Sequence, residues 1–361
     1  MRVLHGTYEI AGQGMALAEG LRRIGVEAKS FAYRKDWSGR VPDEIVDIDR
    51  MSFPARQAAK REAFARHARE FDVFHFHFGT SFEWIPLPFD LPNLRMLDVP
   101  KLKRMGKTVV MHFHGCEVRN RALMMERHPG TATCAECDPF CKPVEQRFYL
   151  RRASEHADRV FYSTLDLGES VPGGVQLPLA IDAARWEAAG DAFAPSRSGE
   201  APRDGVHGPV VIAHAPTKYQ LIKGTRHVEA AVQALRATFP RLELRMIDNI
   251  PWEEMPRALA ECDLLVDQLF MGWYGLLAIE GMSLGKPVVC ALRPEFAATA
   301  PDCPIVSAAP ATLAAVLAPL IANPSLREDL GHRGRAYARA HHDLAVVART
   351  LKGHYEEIVG R

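Results

Sequence analysis

Apolar positions along this chain follow two rhythms. The runs RVLHG, VEAKSFAY, FDVFHFHF, KTVVMHFHG and DRVFYST are short and rich in apolar residues. They predict strands of a parallel sheet covered on both faces. Between them the spacing turns helical. MALAEGLRRIG places Leu17, Leu21 and Ile24 on one face, with Gly25 positioned as a C-cap. Residues 56–70, RQAAKREAFARHARE, predict a charged helix. The rhythm breaks over 183–208, where Ala, Gly, Pro and charge dominate and a linker is expected. It then restarts. PVVIAHAP, LELRMID, LLVDQLF and PVVC read as strands, and WEEMPRALAEC reads as a helix. Thr225 is placed to cap a helix with Val228, Val232, Leu235 and Phe239 on one face, and the tail from Ala311 is helical. No internal repeat is visible.

Strands alternating with helices imply an α/β fold of two doubly wound Rossmann-like domains facing a cleft. The expected domains are 1–182 and 209–339, joined by 183–208, with the helix 340–361 packing back on the first. Ligands in such sheets bind beyond the carboxyl ends of the strands, so the cleft is the expected site.

Composition narrows the function. Lys plus Arg is 45 and Asp plus Glu is 44, which offers no basic excess for nucleic acid. Hydrophobic residues make up 47% of the chain, enough for two cores. No apolar run approaches the ~20 residues of a membrane span. MRVLHGTYEIAG lacks the pattern of a secretory leader, so a cytoplasmic protein is expected. The seven cysteines are mostly scattered, which suits reduced thiols. Arg56, Lys60, Arg61, Arg66 and Arg69 on one helix could touch anionic lipid at the inner face of a membrane, although interspersed glutamates favour a solvated face.

Three stretches carry candidate donor chemistry. In AGQG, Gly12 and Gly14 follow the first strand and open a helix whose amides would attract an anion. In PTKYQLIKGT, Lys218 and Lys223 precede another helix start, where two cations suit a diphosphate. In GWYGLLAIEGMSLGKPVV, a helix from about Gly275 to Leu284 carries one acid, Glu280. Side chains lean toward the helix N-terminus, so Glu280 could hold vicinal hydroxyls near a phosphate gripped at the helix tip. Separately, TCAECDPFCKP spaces Cys134, Cys137 and Cys141 as thiolate ligands of structural zinc or an iron–sulfur cluster, or as free thiols.

The Lys-Gly-Thr phrase and GLLAIEGMSLGKPVV resemble the C-terminal half of GT-B glycosyltransferases, above all the retaining glycosyltransferase family 4, or group 1. Lys223, Gly275, Glu280, Met282, Gly285 and Pro287 match that family's phrases, and Lys218 stands at its usual arginine. MHFHGCEVR resembles its His-Gly-x-Asp segment, with His114 as the histidine, Glu117 at the aspartate and Arg119 following on the acceptor side. LPLAID and HHDLAVVARTLKGHYEEI resemble its domain end and closing helix. The resemblance implies sugar transfer from a nucleoside-diphosphate donor to a hydroxyl of a glycan, lipid or small molecule, with retention. No catalytic metal or other cofactor is then needed. His114, Lys218 and Lys223 would carry catalysis, in bacterial polysaccharide or glycoconjugate synthesis.

One position departs from the family. Gly272 stands where the family's first glutamate should contact the donor sugar. Tyr274 or Trp273 would then reshape that pocket, or Asp267 would supply the carboxylate, or sugar binding would be weakened. The loss keeps two alternatives alive: a degenerate, non-catalytic nucleotide- or glycan-binding protein, and, ranked lower, a UDP-sugar epimerase.

Overall fold

The computed structural model describes residues 1–34, 39–82, 96–128, 142–193, 209–216 and 220–359. The chain divides into two compact units. The first is Met1–Met124, Phe140–Ala180 and Leu344–Arg361, and the second is Met125–Pro139 and Ile181–Asp343.

The first unit holds seven parallel strands: β1 (Arg2–Gly6), β2 (Glu27–Ala32), β3 (Glu44–Ile45), β4 (Val73–His77), β5 (Thr108–Phe113), β6 (Arg159–Tyr162) and β7 (Val175–Gln176). Their spatial order is β3-β2-β1-β4-β5-β6-β7. The winding reverses at β1, with β2 on one side and β4 on the other. That switch point opens a crevice beyond the carboxyl ends of β1 and β4. Alternation along the strands builds two faces. Val3, Val73, Val110 and Phe161 pack against the helices Gln13–Arg23 and Leu344–Val359. Leu4, Phe74, Phe76 and Met111 pack on the other side with Ala63, Leu102 and Phe148.

The second unit holds β8 (Val210–His214), β9 (Leu242–Met246), β10 (Leu264–Val266), β11 (Val288–Cys290) and β12 (Val306–Ser307), ordered β12-β11-β10-β8-β9 and all parallel. Its switch point lies between β8 and β10. Ile212, Leu264, Val266 and Val289 form the core with Val228, Val232, Leu235 and Leu317.

Three expectations change. The stretch read as a linker begins with a helix, Ala183–Phe193. Ala183, Trp186 and Gly190 face inward, and a Cβ on Gly190 would stand 2.6 Å from the Leu284 carbonyl oxygen. The small residues that suggested flexibility instead let this helix pack closely. Thr225 opens its helix but does not cap it. Gly224, left-handed at φ 77°, is the N-cap, and Thr225 Oγ1 bonds His214 instead. On the helix Phe53–Glu70, expected to present a solvated charged face, one of the basic residues is instead buried. Lys60 is 1% exposed, with Nζ 5.6 Å from the centre of the Tyr33 ring, Arg66 pairs with Glu44, and Arg56 donates to the Ile48 carbonyl. Among the described residues no helix is long and apolar enough to cross a membrane.

Candidate functional site

Each unit carries chemistry at its switch point. In the second unit, β8 ends at the buried His214. Its Nδ1 lies 2.8 Å from the Val266 carbonyl oxygen and its Nε2 lies 3.0 Å from Thr225 Oγ1. A carbonyl only accepts, so Nδ1 carries the hydrogen and Nε2 accepts from the threonine. Burial pushes this histidine down to about 4, which keeps it neutral.

Lys223 ends a short helix, and its Nζ donates to Asp267 Oδ1 at 2.9 Å. Asp267 follows β10 and is fully buried. Its second oxygen, Oδ2, has no hydrogen-bond partner among the described residues. Two residues expected to bind different parts of a donor are therefore partners of each other. The aspartate orients the lysine and offsets its charge.

The helix bearing Glu280 runs Leu276–Ser283, with Gly275 as its N-cap and no capping side chain. Seven of its residues, Leu277 through Ser283, are buried, and Glu280 itself is 5% exposed. The Gly281 face lies close enough to β10 that an added Cβ would come within 2.7 Å of Leu265. The all-round apolar helix is thus a core element, and its only acid is held nearly out of water.

Gly272 adopts φ 77°, which favours glycine, and its carbonyl accepts from the Arg293 amide at 2.9 Å. The Arg293 side chain lies across it. A Cβ on Gly272 would meet Arg293 Nε at 2.5 Å and Cγ at 2.7 Å. The position expected to hold a carboxylate is instead roofed by a largely buried guanidinium. Tyr274, expected to reshape the sugar pocket, has its hydroxyl engaged inside the unit, against Tyr337 (2.9 Å) and His342 Nε2 (3.0 Å).

In the first unit, the glycine turn before Gln13–Arg23 is already supplied with an anion. The Glu9 carboxylate accepts from the amides of Gly14 and Met15, both at 3.1 Å. A Cβ on Gly14 would stand 2.9 Å from Glu9 Oε2, and one on Gly12 would stand 2.8 Å from Arg40 Cδ. The amides expected to grip donor phosphate through Gly12 and Gly14 are capped by the chain's own glutamate, five residues upstream.

His114 follows β5 and is half-buried, but neither ring nitrogen is turned to solvent. Nε2 lies 2.9 Å from His77 Nδ1, and Nδ1 lies 2.7 Å from Ser163 Oγ. Glu117 folds back so that Oε1 accepts from the His114 amide. Burial pushes its carboxyl up to about 7, and Oε2 has no partner among the described residues. Arg119 is committed to a buried ion pair with Asp166 and donates to Cys116 Sγ at 3.0 Å. Its expected acceptor-side role is replaced by an internal one.

The sequence reading passed over His5, His75, His77, His112, Ser163, Glu9 and Arg293. The histidines had a signal: His-x-His occurs at the ends of two successive strand-like runs. Lys218 and the three cysteines Cys134, Cys137 and Cys141 lie outside the described residues.

No family model matches this chain, and no curated protein matches it in sequence. Solved structures do match in fold. Sucrose-phosphate synthase from Thermosynechococcus elongatus aligns with a TM-score of 0.66 at 14% identity, over 99% of this chain and 98% of that one. WaaG, a glycosyltransferase involved in lipopolysaccharide biosynthesis, aligns at 0.58 and 13% identity over 100% of both chains. A putative UDP-N-acetylglucosamine 2-epimerase from Listeria monocytogenes aligns at 0.53 and 13% identity, over 99% of this chain and 97% of that one. The fold is GT-B.

Proposed function

We propose that this protein transfers a glycosyl group from a nucleoside-diphosphate sugar to an acceptor hydroxyl, with retention, as a member of glycosyltransferase family 4. The observation that carries the reading is the second unit's switch point. Lys223 is oriented there by Asp267, and the glycine-capped helix Leu276–Ser283 carries the buried Glu280. In this reading the helix amides and Lys223 neutralise charge on the departing diphosphate, joined by Lys218. Glu280 accepts from the ribose hydroxyls. Asp267 positions Lys223 and leaves the sugar to other groups. The acceptor is a glycan, lipid or small-molecule hydroxyl.

Two features support the transferase over the epimerase named among the structural neighbours. The Lys-Gly-Thr phrase and the Glu280 helix phrase have the transferase form. Gly272 keeps a binding-only protein as the second reading, because the expected sugar-contacting carboxylate is absent. The test is incubation with a panel of nucleoside-diphosphate sugars and varied acceptors, reading free nucleoside diphosphate and glycosylated product. Acceptor-dependent nucleotide release that falls at least a hundredfold in Lys223→Ala supports transfer. Tight nucleotide binding with no turnover across the panel supports the binding-only reading. Inversion at C2 of the sugar with no acceptor supports the epimerase.

A further inference from the structure

Five side chains at the carboxyl edge of the first unit form one unbranched hydrogen-bonded chain. His5 Nδ1 lies 3.1 Å from His77 Nε2, and His77 Nδ1 lies 2.9 Å from His114 Nε2. His114 Nδ1 lies 2.7 Å from Ser163 Oγ, which lies 3.1 Å from His112 Nε2. Strand register assembles it. His5 pairs with His75 across β1 and β4, and His77 pairs with His112 across β4 and β5. All five members share the sheet face that carries Val3, Val73, Val110 and Phe161, because strand side chains alternate.

The proton accounting is tight. A neutral imidazole has one N–H and one bare nitrogen. Burial holds the pKa of His5, His77, His112 and His114 below the ordinary histidine value, so all four are neutral near pH 7. If His5 donates from Nδ1, His77 accepts at Nε2 and must donate from Nδ1. His114 then accepts at Nε2 and donates to Ser163, whose hydroxyl donates to His112. All four histidines carry hydrogen on Nδ1. Starting from His112 Nε2–H reverses every step, and all four carry hydrogen on Nε2. A mixed order sets two N–H groups or two bare nitrogens face to face, or strands the buried Ser163 hydrogen. The outer nitrogens, His5 Nε2 and His112 Nδ1, are buried and have no partner among the described residues. Reversal therefore only exchanges which end holds the spare hydrogen.

We propose that His5, His77, His114, Ser163 and His112 act as one tautomeric unit, so that the nitrogen of His114 that carries its hydrogen is tied to the choice made by the other three histidines. His114 is the member with exposed surface. Both its nitrogens are engaged inside the protein, so it meets a ligand with ring carbon and cannot exchange a proton without reversing the whole chain. His5, His77, His112 and Ser163 are positioning residues for it. This inference does not rest on the glycosyl-transfer reading.

A transition-metal ion is the competing occupant, since ring nitrogens of His77, His112 and His114 lie within 4.8 Å of one another. Ring orientation favours hydrogen bonds. The His5 and His77 planes differ by 30° with centroids 5.4 Å apart, and those of His77 and His114 by 23° with centroids 5.1 Å apart. The rings meet end to end with their nitrogens aimed at each other. Ligands of a tetrahedral ion aim at a point between them.

The experiment is ring 15N spectroscopy of histidine-labelled, metal-analysed full-length protein at pH 7.5, with resonances assigned by single substitutions. The expected result is one tautomer shared by His5, His77, His112 and His114. Ser163→Ala should free His112 alone to change tautomer, and Ser163→Thr should restore the common state. Tyr355→Phe serves as the control. Tyr355 bonds His75 Nδ1 at 2.6 Å, outside the chain, so only His75 should respond. Opposite tautomers within the four, an imidazolium among them, or a stoichiometric metal ion with metal-shifted nitrogens would overturn the proposal. The wild-type spectrum decides even if a variant fails to fold.

Discussion

Arg293 occupies the space above Gly272 that any side chain there would need. A Cβ on Gly272 would stand 2.5 Å from Arg293 Nε, on a backbone at φ 77°. Gly272 and Arg293 are sterically matched, and a side chain at position 272 would require the arginine to move.

Gly272→Glu is therefore expected to destabilise the second unit by about 2–3 kcal/mol, from the left-handed backbone and the steric overlap together. Urea unfolding measures this. Adding Arg293→Ala should recover the overlap part and leave the backbone part. An unchanged midpoint in Gly272→Glu would show that Arg293 does not pack there.

Stability should fall steeply on mild acidification. Burial depresses His77 to about 3, His67 and His214 to about 4, and His5, His75, His112 and His114 well below 6.5. In the unfolded chain each takes up a proton near 6.5. The unfolded state then binds more protons, so stability is full above that pH and is lost as pH falls toward the folded values. Each histidine can contribute up to about 1.4 kcal/mol per pH unit. Glu117 works the other way: raised to about 7, its contribution is full below 4.5 and lost as pH rises through 7. Urea midpoints from pH 7.5 to 5.5 should show uptake of several protons on unfolding. A one-proton slope would contradict the neutral, buried cluster.

Lys223→Ala should cost about 3 kcal/mol, because it strands the Asp267 carboxylate in the core. Lys223→Met with Asp267→Asn should recover most of that stability but none of the turnover. Thermal unfolding and nucleotide release, measured on the same samples, separate the two effects. Recovery of both would remove Lys223 from the chemistry.

Glu9→Ala should cost about 1 kcal/mol by uncapping the helix Gln13–Arg23. The freed amides form a helix-terminus anion site, so sulfate should stabilise this variant more than the wild type in thermal unfolding. Equal responses to sulfate would mean that Glu9 is not the helix's anion.

Much of the architecture was readable from the sequence. The near-continuous apolar runs fixed parallel strands, and the Glu280 helix emerged within a residue of its expected ends. What escaped reading was chosen by tertiary packing. Glu9 looks like any loop acid until the turn folds it onto Gly14. Ala183–Phe193 looks like a linker because small residues signal flexibility locally and close packing globally. His75 and His112 stand 37 positions apart, and strand register brings their rings within 5.3 Å. Arg293 enters the site only because β11 runs beside β10, and no local pattern around Gly272 announces it.

The helix Leu344–Val359 has a consequence for how the protein is made. It supplies Val347, Leu351 and Tyr355 to the same core as Val3, Leu17 and Leu21. Val3, Leu17 and Leu21 thus wait for side chains translated only after the whole of the second unit. While the ribosome is still reading, the part of this face that Leu344–Val359 covers stays bare, and His75 lacks its tyrosine. A nascent chain halted before residue 344 exposes that apolar face to chaperones and to other chains. Premature termination late in the message should therefore be punished by aggregation rather than by loss of a dispensable tail.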